Sequence, residues 1–242
     1  MSVGEWVCVC VYVCVCVCVR VWVWVWVWVS QCVCKLYTYT HSLPTFFTTH
    51  SFIHSPPPLP QHTSVRACAQ VFLRVHSPTF AGVADARFKH FVRHILPQLQ
   101  REEKKRTLVF MPSYFDFARV RNFLRKNDVE FLQINDYSER SDVNRARTAF
   151  FDGVRPILLY TERYHYHNRP TIRNIRHIVF YEPPLFPQFY SEMINAINGA
   201  VASDATVTTL YSRFEADRLA RIVGTQQAAE MLQSTEARHW FM

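Results

Sequence analysis

"RTLVFMPSYFDFARVRNFLRKN", Arg106 to Asn127, is the stretch from which the fold can be read. Its first part is a short apolar, β-rich run that ends in Pro112-Ser113. Its second part changes period: Phe117, Val120 and Leu124 recur at i, i+3 and i+7, while Arg119, Arg125 and Lys126 lie off that stripe. Ser113, followed three residues later by Asp116, has the form of a capping box, which places the helix start there.

Outward from this strand and helix the same alternation continues. "VEFLQIND" (Val129 to Asp136) reads as the next strand, and "SDVNRARTAFFDG" as a helix on Val143, Ala146 and Phe150 that stops at Gly153. "PILLYTE" (Pro156 to Glu162), "IRHIVFYE" (Ile175 to Glu182) and "ATVTTLYS" (Ala205 to Ser212) are further strands. Helices are expected from Glu215 to Val223, from Gln226 to Leu232 and, upstream, from Asp85 to Gln100. Strands and helices in alternation require a parallel sheet with helices on both faces. Phe117, Val120, Leu124, Val143 and Phe150 are its expected core residues.

The first 65 residues are of another kind. From Val7 to Val29 valine stands at every second position with cysteine or tryptophan between, so both faces of a strand would be apolar. A six-base TG repeat, GTG TGT with one-base variants, encodes this string, and the Pro/Ser/Thr/His-rich run after it has no period. Residues 1–65 are therefore read as low-complexity sequence of repeat or intron-like origin without ordered structure, and residues 66–242 as the folded domain. Within that domain Cys68 is the single cysteine, which excludes a disulfide framework and fits a reducing compartment. The excess of basic residues, formally +8 over the chain, suits a polyanionic partner.

Ligands of a parallel α/β sheet meet the loops at the carboxyl ends of its strands. Those segments read "PSYFD", "NDYSE", "TERYHYHNRP" and "YEPPLFP". In the third, tyrosine and histidine interleave with arginine, a pattern suited to stacking on bases and pairing with phosphates. Ser113, Tyr114, Arg163, Tyr164, His165, Tyr166, His167, Arg169 and Arg173 are the candidate contacts for RNA or for a protein neighbour. The competing reading leaves the tyrosines packed against another domain and the basic groups solvated. Arg119, Arg121, Arg125, Lys126, Arg145 and Arg147 read as a solvated basic helix surface.

The order of these segments resembles the second RecA-like domain of a superfamily 2 RNA helicase. More closely, "PSYFDFARVRNF", "LLYTERYHYHNRPTIRNIRHIVFYE" and "LYSRFEADRLARIVG" resemble the carboxyl-terminal region of the digestive organ expansion factor family, the U-three small nucleolar RNA-associated protein twenty-five family. The resemblance covers Ala69 to Leu232. It implies a nuclear, nucleolar component of the small-subunit processome in early pre-rRNA processing and 18S maturation, with a helicase-like fold but no helicase activity. Its implied partners are pre-rRNA, U-three small nucleolar RNA and processome proteins, without a membrane. Members also carry an acidic amino-terminal region and a first RecA-like domain, so the chain is expected to be a fragment.

The residues themselves argue against ATP hydrolysis. None of the five glycines forms G-x-x-x-x-G-K-[ST], the motif whose N–H groups and lysine cradle phosphates. From His177 to Ser212 there is neither arginine nor lysine to serve as an arginine finger. His165 and His167 stand at a metal-compatible spacing, but no nearby cysteine or third histidine completes a set; Glu162 reads as solvated or paired with Arg163 or Arg169. No enzyme activity, metal or other cofactor is expected. Three functions stay open: a non-catalytic RNA-associated scaffold, a fragment of an active helicase, and a protein-interaction module without RNA contact.

Overall fold

The computed structural model describes residues 68–101, 106–197 and 205–241. The expectation for residues 1–65 lies outside these residues. The first strand of the quoted stretch, β2 (Thr107–Met111), has all five residues buried, as a strand covered on both faces requires. Ser113 then takes an extended conformation and its Oγ accepts the Asp116 N–H at 3.3 Å, starting the helix Tyr114–Lys126 where the capping signal placed it.

Before it come β1 (Ala69–Arg74), α1 (Val83–His90), a π turn (Phe91–Ile95) and α2 (Leu96–Leu99); the helix Tyr114–Lys126 is α3. After it come β3 (Phe131–Ile134), α4 (Arg140–Asp152), β4 (Ile157–Thr161), α5 (Glu162–Asn168), β5 (His177–Phe180), α6 (Pro187–Asn195) and β6 (Thr206–Tyr211). A 3-10 turn (Arg213–Glu215), α7 (Ala216–Val223), α8 (Thr225–Gln233) and β7 (Arg238–Phe241) complete the described chain.

The sheet has seven strands in the order β3-β4-β2-β5-β6-β1-β7, and every pair is parallel except β1 with β7. Successive residues of β2 point to opposite faces. Leu108 and Phe110 belong to the core cluster that holds Val143 and Phe150 of α4 and Tyr190 and Met193 of α6; Val109 and Met111 belong to the one that holds Phe117, Val120 and Leu124 of α3. The five expected core residues are thus all buried. The chain moves toward the β3 edge over the α1–α3 face and toward the β7 edge over the other, so all crossovers share one hand.

Two expectations need correction, and two strands lie outside the sequence reading. The helix expected from Asp85 to Gln100 is interrupted, with the Leu96 N–H reaching back five residues to the Phe91 carbonyl. Pro97 is the cause: it lacks the N–H that an α-turn would give to Arg93, and its ring crowds that carbonyl. β1 and β7 carry too little alternation to be read, and they owe their state to pairing with β6 and with each other. The segment "ERYHYHN", read as a loop, is the helix α5. Its aromatic and histidine residues have middling helix propensity, and the burial of Glu162 and His165 decides the outcome.

Candidate functional site

The carboxyl ends of β2, β4, β5 and β6 adjoin one another, so the segments that leave these strands share one edge of the sheet. At the end of β4, Thr161 is extended and Glu162 opens α5. Glu162 is neither solvated nor paired with a neighbouring arginine, as the sequence implied. Its Oε2 accepts the Leu185 N–H at 3.1 Å and its Oε1 the Phe186 N–H at 3.0 Å, tying α5 to the β5–α6 loop. Burial pushes this carboxyl above its ordinary range, and the two N–H groups oppose the shift. Arg169, in the left-handed region at φ 39°, ends the helix with its N–H on the His165 carbonyl, and Pro170 prevents continuation.

One side of α5 faces the core. His165 has Nδ1 3.0 Å from the Tyr160 hydroxyl and Nε2 3.0 Å from Glu192 Oε2, with its ring edge-on to Phe189. Burial lowers its pKa against the pull of Glu192, which favours the neutral ring; a neutral ring with its proton on Nε2 donates to Glu192 and accepts from Tyr160. Tyr164 is half-buried against Tyr160. The other side faces solvent with Arg163, Tyr166, His167 and Arg169. Tyr166 stacks on Phe186 with centroids 5.1 Å apart and planes at 26°. Arg169 lies over Phe189 and 3.8 Å from Glu192, and Arg163 is 3.9 Å from Asp136.

Behind this rim the carboxyl ends hold a buried ion network. Arg87 of α1 pairs with Glu182, just past β5, at 3.4 Å and with Glu215 of the 3-10 turn, while Arg218 of α7 reaches Glu182 at 3.3 Å. Glu215 also accepts the Ser212 N–H at 2.8 Å. Glu182 is pushed up to about 7, first by burial, against Arg87 and with the help of Glu215. Burial raises Asp116 as well. The chain's own side chains thus occupy the place where parallel α/β sheets receive ligands.

The family model described as Utp25, C-terminal domain, matches residues 62–241. The chain belongs to this Utp25 C-terminal family. It is similar to the U3 small nucleolar RNA-associated protein 25 homolog of Homo sapiens, at 45% identity over 175 residues that cover 71% of this chain and 23% of that protein. It is also similar to the U3 small nucleolar RNA-associated protein 25 of Schizosaccharomyces pombe, at 39% identity with 67% of this chain and 26% of that protein covered. The chain therefore spans about a quarter of the length of these relatives. Among solved structures it is similar to the E. coli DEAD-box protein SrmB, with TM-score 0.52 and 16% identity over 65% of this chain and 84% of that one. That likeness is one of fold, RecA-like.

On this Utp25 domain the residues singled out from the sequence divide by position. Arg163, Tyr166, His167 and Arg169 gather on the outer side of α5, and Arg173 is exposed in the loop after it. Tyr114 is half-buried between Phe117 and Tyr137. Ser113 is engaged as the cap of α3. His165 is corrected to an interior residue, because its side chain is 5% exposed and both ring nitrogens are engaged. Sequence reading missed Phe186, Leu185, Phe115 and Tyr137, all exposed on the carboxyl-end segments, and it missed the ion network. A signal for part of that network was present: "SRFE", Ser212 to Glu215, has the S-x-x-E spacing of a capping box.

Proposed function

We propose that this chain is a non-catalytic component of the small-subunit processome, acting in the nucleolus in early pre-rRNA processing and 18S rRNA maturation. Its rim of α5 contacts U-three small nucleolar RNA or pre-rRNA. Relatives named for association with U3 small nucleolar RNA support the process, as does the Arabidopsis thaliana relative named protein NUCLEOLAR FACTOR 1, 36% identical over 165 residues. The observation that carries the RNA contact is the outer side of α5, where the stacked pair Tyr166–Phe186 lies among Arg163, Arg169 and His167. An exposed aromatic face beside guanidinium groups suits an unpaired base and its phosphate. The non-catalytic reading rests on the sequence, which lacks a phosphate-binding loop, and on the ion network at the strand ends.

The test separates charge from stacking. Arg163→Ala with Arg173→Ala is expected to lower the salt slope of RNA binding by about 0.7 for each phosphate no longer neutralised, whereas Tyr166→Ala should cost about 1–3 kcal/mol with the slope kept. Anisotropy titrations of single-stranded pre-rRNA fragments at several salt concentrations read both. A second reading, contact with a processome protein, is favoured by the exposure of Leu185 and Phe186 on the same rim. Unchanged RNA binding in both variants, with loss of co-purifying processome proteins from cells, would decide for it.

A further inference from the structure

The edge of the sheet at β3 lies in a groove of about 930 Å³ between α3 and α4. Among the described residues β3 pairs with β4 alone, in parallel from Phe131↔Ile157 to Ile134↔Tyr160. Alternate residues of such an edge strand direct their N–H and C=O groups outward, a template for another strand. The Phe131 carbonyl is already met by Arg155 at 2.8 Å. The two walls differ in chemistry. The α3 wall presents Arg121 and Arg125, and the α4 wall presents Ala146 and Ala149, with the exposed Val154 just beyond it and the mutually paired Asp142 and Arg145 at its first turn.

We propose that the β3 edge accepts an extended peptide segment of a partner protein, added as a further strand, in which acidic and apolar residues alternate. The side chains of an added strand point in turn to the two faces of the sheet. Its acidic residues would meet Arg121 and Arg125, and its apolar residues Ala149 and Val154. Asp128, Glu130 and Asp142 also line the groove, so its charge is mixed, and a continuous phosphate backbone would meet acids as well as arginines. A peptide can place its charges one by one, whereas a phosphate backbone cannot. The groove ends at Asn135 and Tyr137, beside the Asp136 that Arg163 of the α5 rim approaches at 3.9 Å. Tyr166→Ala touches the rim but not the groove lining, so it tells RNA binding there apart from peptide binding here.

The probe is a blocked, fluorescein-labelled octapeptide of alternating valine and glutamate, titrated into the full chain. Saturable binding is expected, with slowed amide exchange in Phe131–Ile134. Arg121→Glu with Arg125→Glu, and separately Ala149→Glu, should each weaken it roughly tenfold. Ala149→Glu places a good helix former on a helix surface, which keeps the test valid should the double variant fold poorly. N-methylation of alternate peptide nitrogens should abolish binding in one register and spare it in the other. Equal binding of a valine–lysine peptide, unchanged exchange at β3, or displacement of the probe by oligouridylate would overturn the proposal. So would concentration-dependent dimerisation that protects β3 without peptide, since the edge would then serve a second copy.

Discussion

Arg87 sits 3% exposed between two carboxyl groups that come from different strand ends, so its buried charge depends on them for compensation. Arg87→Met is expected to leave Glu182 and Glu215 facing each other and to destabilise the fold by about 3–5 kcal/mol, read from denaturant midpoints. Glu182 supplies a pH test with a definite sign. Its folded pKa of about 7 lies above the ordinary carboxylate value of 4.5, so between those pH values the folded state holds a proton that the unfolded state has released. Its contribution to stability is full at acid pH and declines as pH rises through that window. The melting temperature of the wild type minus that of Glu182→Gln should therefore fall from pH 5 to pH 7; a flat or rising difference would mean that the carboxyl is ionised throughout. None of this was legible in the sequence, because Arg87, Glu182 and Glu215 are neighbours only through sheet order. The Ser212–Glu215 spacing was legible, and it locates one member of the network.

At the scale of single elements, periodicity sufficed where one face is apolar and the ends are punctuated. Helices α3 and α4 lie on the expected stripes, and Gly153 ends α4 at φ 75°. That φ makes Gly153→Ala a test of the stop: a cost of about 1 kcal/mol is expected from forcing a Cβ into the left-handed region, besides its approach to Arg106 Nε at 3.2 Å. Thermal unfolding of the variant checks it, and an unchanged melting temperature would show that the helix end relaxes freely. Helix α5 was not legible, because the forces that fold it are tertiary. Glu162 answers two N–H groups of the β5–α6 loop and His165 answers Tyr160 and Glu192. The same burial divides the candidate residues: a helix can show only part of its surface, so Tyr166 and His165, adjacent in sequence, face opposite media.

At the scale of the whole molecule, strand and helix alternation revealed a parallel sheet but not its order, which depends on which strands pair across long connections. That order brings the ends of β2, β5 and β6 together, and the consequence is chemical. Arg87, Glu182, Glu215 and Arg218 pair with one another at the carboxyl ends of the strands, where parallel α/β sheets receive ligands. Two carboxylates repel a triphosphate, and the arginines that would attract it are engaged with them. The stretch His177–Ser212 adds no cation, and the chain has no glycine-rich phosphate cradle. Mg²⁺-ATP at millimolar concentration is therefore expected to give no saturable heat when titrated into the chain, and the chain to show no ATPase activity with or without RNA. Glu215→Gln, once circular dichroism shows it to be folded, sharpens the test by removing one acid and loosening Arg87 while Glu182 still faces it. If that variant binds ATP and the wild type does not, the ion network is what closes the site. Micromolar binding by the wild type would instead revive the helicase reading.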